Sequence, residues 1–269
     1  MGIKRVLTSI VLIPVLYVIV WELPPVYFMG LVVVAAVIGQ YEFYRMAGHR
    51  GIRPLAVLGV ALGVLVSIAI DFYQPDFRGG RGGAFLVTFC VLLVTVVRLF
   101  SRRPVEGAIE DVSATLLGIF YVAMLFGFQM ALRAGDHGRQ WLMFMYLVIW
   151  ASDTGAYYIG TSLGKHKLYP KISPKKSVEG LIGGMVAAAG AALLCRAWFL
   201  PAVGVLEAAV LGLVLAAAGT LGDLVESLFK RSVGVKDSGS LIPGHGGMLD
   251  RMDSMLFAAP MLYYYLGMR

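Results

Sequence analysis

The chain has 269 residues, 59% of them hydrophobic and only 14% charged, with a formal net charge of +7 and a mean hydropathy of +0.79. A soluble domain carries about 25% charged residues, so this composition excludes an ordinary water-soluble fold. The two cysteines, Cys90 and Cys195, fall in apolar runs, imply no disulfide framework and read as small buried hydrophobes.

Apolar runs of about 20 residues, enough to cross a bilayer, recur along the chain. They lie at roughly 6–22, 26–47, 54–71, 84–100, 112–132, 141–160, 181–200, 205–229 and 249–267. The expected fold is all-α: a polytopic helical membrane protein of about nine transmembrane helices, forming one membrane domain over 1–269. Met1-Gly-Ile-Lys-Arg5 before the first run resembles a secretory signal. Trp21-Glu-Leu-Pro-Pro25 offers no small-residue cleavage site, however, and an uncleaved signal-anchor is expected. Val6 stands where myristoylation would need Ser or Thr. Glu42 and Arg45, three apart at the end of the second run, read as a local ion pair. Arg78-Gly-Gly-Arg-Gly-Gly83 reads as an external turn, since no Lys-Ser/Thr follows to make a phosphate loop. Residues 1–140 are thus mainly structural helices.

Charge sets the orientation. With nine spans, 17 of the 23 basic residues fall on one side, including Lys4, Arg5, the five lysines between 165 and 176, Lys230, Arg231 and Lys236. The positive-inside rule then puts the N-terminus in the cytoplasm and the C-terminus outside. The positive charge belongs to loops beside anionic lipid and gives no reason to expect nucleic acid.

From residue 141 polar residues enter the helices, and charge beside lipid needs a reason. Asp153 sits mid-run in Trp150-Ala-Ser-Asp-Thr-Gly-Ala-Tyr-Tyr158. Gly164 to Gly180 forms a basic loop in which Ser173-Pro-Lys-Lys-Ser177 sets two hydroxyls beside Lys175 and Lys176. That suits a phosphate clamp or an ordinary positive-inside loop. Gly160/Gly164 and Gly180/Gly184 are small-xxx-small pairs suited to close helix packing. Asp223, Glu226 and Ser227 share a helical face that Lys230 continues, so Glu226 and Lys230 could form an internal salt bridge, leaving Asp223 without a charged sequence neighbour.

A polar hairpin follows, carrying Lys230, Arg231, Lys236, Asp237, His245, Gly246 and Gly247. Asp250, Arg251 and Asp253 then open the last run. Two carboxylates at i and i+3 could cap a helix N-terminus. They could also hold a hard cation whose shell substrate phosphates complete. Asp223 and Asp250 could converge on such an ion across the hairpin. Zinc is disfavoured, because His245 has no Cys or His at suitable spacing.

The segment Ser227-x-x-Lys-Arg-x₄-Lys-Asp-x₅-Pro-x-His-Gly-Gly-x-x-Asp-Arg-x-Asp253 resembles the signature of the CDP-diacylglycerol synthases (phosphatidate cytidylyltransferases) at every fixed position. Asp153-Thr-Gly-Ala-Tyr-Tyr and Ile172-Ser-Pro-Lys-Lys-Ser-Val-Glu-Gly look like that family's other two blocks. The resemblance implies transfer of CMP from CTP to phosphatidic acid with Mg²⁺, the number of cations left open, in a homodimer of the inner membrane whose active site faces the cytoplasm. It makes Asp223 and Asp250 the leading metal ligands. Lys230, Arg231, Lys236, His245 and Arg251 are implied phosphate holders, and Asp237 and Asp253 of the catalytic set are, with Glu226, implied supporting or alternative metal ligands. Asp153, Ser173, Lys175, Lys176, Ser177, Glu226, Ser227, Gly246 and Gly247 are implied to bind substrate. Rival readings are a CTP-dependent enzyme acting on another lipid, and an ion-coupled transporter using Asp153, Asp223 and Glu226. The gathering of charge at one face, instead of threading the bilayer, disfavours transport.

Overall fold

A computed structural model describes residues 14–72, 81–239 and 246–269. Its helices follow the apolar runs closely. They are α1 (Pro25–Gly48), α2 (Ala56–Phe72), α3 (Arg81–Leu99), α4 (Ala108–Ala134), α5 (Gly138–Leu163), α6 (Val178–Phe199), α7 (Val205–Ser232) and α8 (Leu249–Met268). A short π-helical turn, Val18–Glu22, precedes α1. Among the described residues, α1, α3 (from Gly82), α4, α6 and α7 are long and apolar enough to cross a membrane, and Ala56–Ile70 is a shorter apolar helix. Much of the first run, and residues 78–80 of the expected external turn, lie outside the described residues, while Arg81, Gly82 and Gly83 open α3 and are helical rather than turn.

The expectation of a purely helical chain needs one correction. Residues 167–177 form an antiparallel hairpin, β1 (Lys167–Tyr169) with β2 (Ser173–Ser177), pairing Lys167 with Ser177 and Tyr169 with Ser173. Pro170 supplies the fixed φ of a tight turn, and the Ile172 N–H donates back to the Tyr169 carbonyl at 3.2 Å. Prolines at 170 and 174 exclude a continuing helix, so the loop's backbone groups pair across a ladder instead.

The chain folds as two compact units, residues 1–135 with 232–251, and residues 136–231 with 252–269. In the first, α1 packs on α2 and α4 around a buried polar knot. The Gln40 amide donates to the Tyr44 hydroxyl (3.0 Å) and the Gly59 carbonyl (2.8 Å), while Tyr44 donates to the Thr115 carbonyl at 2.9 Å. That last bond falls where α4 widens into a π-helical segment, Gly118–Met124, which disturbs the regular bond ladder. Arg98 and Asp111 form a buried ion pair at 3.0 Å. Cys90 and Cys195 are buried and free, as the sequence implied.

In the second unit α5 and α6 pack closely along much of their length. Their glycines permit it: a Cβ on Gly155 would come 2.8 Å from the Gly183 carbonyl oxygen, and one on Gly184 2.9 Å from that of Ser152. The small-xxx-small spacing therefore serves helix packing.

Candidate active site

In the second unit α5, the hairpin, the start of α6 and the middle of α7 surround a cavity of about 340 Å³. Asp153, Lys175, Lys176, Ser177 and Asp223 line its polar side, with Tyr157 and Leu181 among its apolar wall. Each is placed by local structure. Ser177 ends β2 and caps α6, its Oγ accepting the Gly180 N–H at 3.1 Å. Glu179, in the first turn of α6, accepts the Lys165 and His166 N–H groups and lies 2.6 Å from His166 Nδ1, so the helix start holds the hairpin's entry. Arg231 Nε donates to the Ile172 carbonyl at 3.3 Å and ties the end of α7 to the hairpin turn.

The centre of this arrangement is an ion pair that sequence spacing did not reveal. Lys176 Nζ lies 2.6 Å from Asp223 Oδ2, and the Ser227 hydroxyl donates to Oδ1 at 3.3 Å. The pair is about a quarter to a third exposed, so solvent reaches it. Asp153 interacts electrostatically with both members. Asp253 feels the charges of Asp223, Glu226 and Asp153. Its backbone carbonyl abuts Gly222, a contact that only a glycine allows.

Glu226 and Lys230 differ in kind. Their 2.7 Å pair is buried, with the Glu226 side chain wholly inaccessible, and takes the internal salt-bridge form that i, i+4 spacing allowed. To hold a phosphate, Lys230 would have to leave this carboxylate. Ser173 is partly buried within β2, and Arg231 is exposed.

The remaining candidates lie in the first unit. Asp250 Oδ2 accepts from the Ser238 N–H (2.9 Å), the Ser238 hydroxyl (3.0 Å) and the Gly247 N–H (2.8 Å). This is the helix-start bonding that its position in the first turn of α8 permits. Gly246 takes a φ of +78°, and a Cβ there would come 2.6 Å from Asp250 Oδ2. Lys236, Asp237 and Arg251 are exposed, and His245 lies outside the described residues. Glu42 overturns an expectation. Among the described residues it forms no ion pair with Arg45. Its carboxylate instead accepts the Met248 and Leu249 N–H groups, each at 3.0 Å, and the Ser238 hydroxyl at 3.2 Å. Sequence reading missed it. The available signal was a carboxylate in the last turns of an apolar helix, where an adjacent arginine offered an easy partner.

The fit to a hard cation can be judged from the donors. Among the described residues no three His, Cys, Asp or Glu side chains are grouped to hold a metal. Magnesium needs only one or two carboxylates when phosphates fill the rest of its shell. Asp223 meets that need: it faces the cavity and already holds a cationic ammonium on one oxygen.

Residues 3–268 match the model of the cytidylyltransferase family. The chain belongs to that family. It is 34% identical to the phosphatidate cytidylyltransferase of Bacillus subtilis over 98% of this chain and 97% of that protein. The enzyme of the same name from Synechocystis is 34% identical over 89% and 88% of the two chains. That from Staphylococcus saprophyticus is 43% identical over 78% and 80%. The family match spans both compact units, so the cavity residues and the α8 start belong to one enzyme.

Proposed function

We propose that this cytidylyltransferase moves CMP from CTP onto phosphatidic acid, forming CDP-diacylglycerol and releasing pyrophosphate. The observation that carries the reading is the Lys176–Asp223 pair facing a cavity also lined by Lys175 and Asp153, in a chain whose near-full-length relatives are named for this activity. A lipid phosphate oxygen attacks the α-phosphorus of CTP, and the bond from that phosphorus to the β-phosphate oxygen breaks. A phosphate monoester has its second pKa at about 6 and is largely dianionic near neutrality, so no strong general base is required. Catalysis of such a transfer rests on positioning and charge neutralisation.

The residues divide accordingly. Lys175 and Lys176 bind phosphate oxygens at the cavity, which for Lys176 would mean leaving the Asp223 carboxylate. Asp223 and Asp250 are the leading ligands for Mg²⁺, which when bound would neutralise charge developing on the departing pyrophosphate. Lys236, His245 and Arg251 are assigned to phosphate binding by their place in the signature. The full proposal includes nine spans, a cytoplasmic N-terminus, an active site at the cytoplasmic face of the inner membrane, and a homodimer. The cationic excess on one set of loops supports that orientation.

Two measurements test the reading. Purified protein given phosphatidic acid, Mg²⁺ and CTP labelled in the cytosine and, separately, in the γ-phosphate should place only the cytosine label on lipid. Label from the γ-phosphate on lipid would make the chain a kinase, and no CTP consumption would remove the reading. For topology, single cysteines at 171 and 236, both exposed, should react with an impermeant reagent from the cytoplasmic side and one at 135 from the outside. Reaction of 171 and 236 from opposite sides would overturn the arrangement.

A further inference from the structure

The first unit holds a buried carboxylate that no expected role explains. Glu42 is 5% exposed in α1, two residues beyond the Gln40 of the polar knot but taking no part in it. Its bonds join residues more than 190 positions away: Ser238 on one flank of the 240–245 segment, Met248 and Leu249 on the other. One carboxylate thus closes both ends of the stretch that carries the signature glycines.

Three features indicate that the arrangement is built for this carboxylate. Met248 and Leu249 donate N–H groups that begin α8, and such first-turn donors have no partner within the helix. A charged acceptor is the strongest partner they can find. Gly239 and Gly247 flank the carboxylate closely, and a Cβ on either would lie 2.5 Å from a Glu42 oxygen. Ser238 couples it to the neighbouring acid, its hydroxyl facing Glu42 Oε2 at 3.2 Å and Asp250 Oδ2 at 3.0 Å. One hydroxyl has one proton, so the two carboxylates share it.

We infer that Glu42 is a positioning residue for Asp250: it fixes the first turn of α8 and the Ser238 hydroxyl, and through them the orientation of the Asp250 carboxylate. The catalytic consequence rests on the reading that Asp250 serves CMP transfer. The structural link does not. Removal of a residue that orients a ligand from behind costs about 10- to 100-fold in activity. Glu42→Gln keeps the volume but turns an amide NH₂ toward N–H donors. Its kcat should fall by about that factor with the KM for CTP little changed, because the defect lies in orienting a reacting group rather than in uniform binding. Glu42→Asp keeps the charge and should recover part of the rate.

The test uses the full-length protein in nanodiscs and reads two signals. Hydrogen exchange of the peptide containing the Met248 and Leu249 amides should quicken by roughly tenfold in Glu42→Gln, the amount a lost charged hydrogen bond allows. Gly239→Ala, which displaces the carboxylate without removing it, should quicken the same amides and lower kcat in the same direction. Unchanged exchange in both variants overturns the inference whatever the activity. Faster exchange with kcat within about twofold of wild type overturns the link to Asp250. A wild-type protein inactive on CTP and phosphatidic acid would remove the proposed function and with it the catalytic half of the inference. Faster exchange in that case would still support the bond from Glu42 to α8. If Glu42→Gln does not fold, Gly239→Ala decides on the same two readings.

Discussion

The carboxylates of the two units are used in opposite ways. In the first unit Glu42 and one oxygen of Asp250 accept N–H and hydroxyl donors around the start of α8, so both carboxylates hold backbone there. In the second, Asp223 accepts one weak hydroxyl bond and otherwise faces a cavity opposite a lysine. A carboxylate oxygen held by neutral N–H and hydroxyl donors organises structure, whereas one balanced by a partly exposed cation can exchange that cation for a substrate or an ion. The acids are alike in sequence but differ in what surrounds them.

The largest expected effect lies at Asp223. Asp223→Asn preserves volume but removes the charge facing the cavity, and kcat should fall by roughly 10²- to 10³-fold, as when a preorganised electrostatic partner is lost. The variant should still insert and elute as folded protein, because Asp223 is partly exposed and the substitution keeps its volume. A near-wild-type rate at saturating Mg²⁺ would erase the contrast between the two units.

Lys175 and Lys176 sharpen the same contrast. They are adjacent, and the sequence offers them together, as the two cations of one phosphate clamp. The structure separates them: Lys176 touches Asp223, while Lys175 is exposed at the cavity rim. Lys176→Ala is expected to lower kcat, because it disturbs the acid that acts during transfer. Lys175→Ala is expected mainly to raise a KM, because an exposed cation contributes similar binding in ground and transition states. Steady-state kinetics on each single variant would decide, and equal changes in both parameters would mean the lysines act as one site.

Much of the fold was legible because apolar runs of spanning length become helices wherever a bilayer must be crossed. The hairpin was not, since Lys167–Tyr169 and Ser173–Ser177 are short, polar and without apolar alternation. Within the site, Glu226–Lys230 could be read at i, i+4, and the packing role of Gly160, Gly180 and Gly184 from their spacing. The Lys176–Asp223 and Glu42–Leu249 contacts could not, because no periodicity links residues 47 or 207 positions apart. Glu42 was misread for the same reason: the near residue, Arg45, was visible and the true partners were not.

The Glu226–Lys230 pair gives an intermediate effect, on stability rather than rate. Breaking a buried pair by removing one partner costs about 3–5 kcal/mol, whereas replacing both with apolar residues of similar volume is often neutral. Lys230→Met should therefore lower thermal stability sharply, and Glu226→Leu with Lys230→Met should restore most of it. If the double variant folds but binds CTP poorly, Lys230 also serves phosphate, and the division between structural and cavity-facing charge is less clean than the geometry indicates.

The smallest expected effect concerns Ser177, which stands between the two uses. Its hydroxyl lines the cavity, yet it also accepts the Gly180 N–H as the cap of α6. Loss of an N-cap serine to alanine costs about 1 kcal/mol, while loss to glycine costs only a few tenths. Both replacements remove the hydroxyl equally. If Ser177 is chiefly a cap, Ser177→Ala should melt lower than Ser177→Gly, and the two should share a KM for CTP and for phosphatidic acid close to that of the wild type. If the hydroxyl holds phosphate, both variants should show the same raised KM, whatever their melting temperatures. Glycine thus separates the two roles, because at an N-cap it replaces serine's backbone preference without replacing its oxygen.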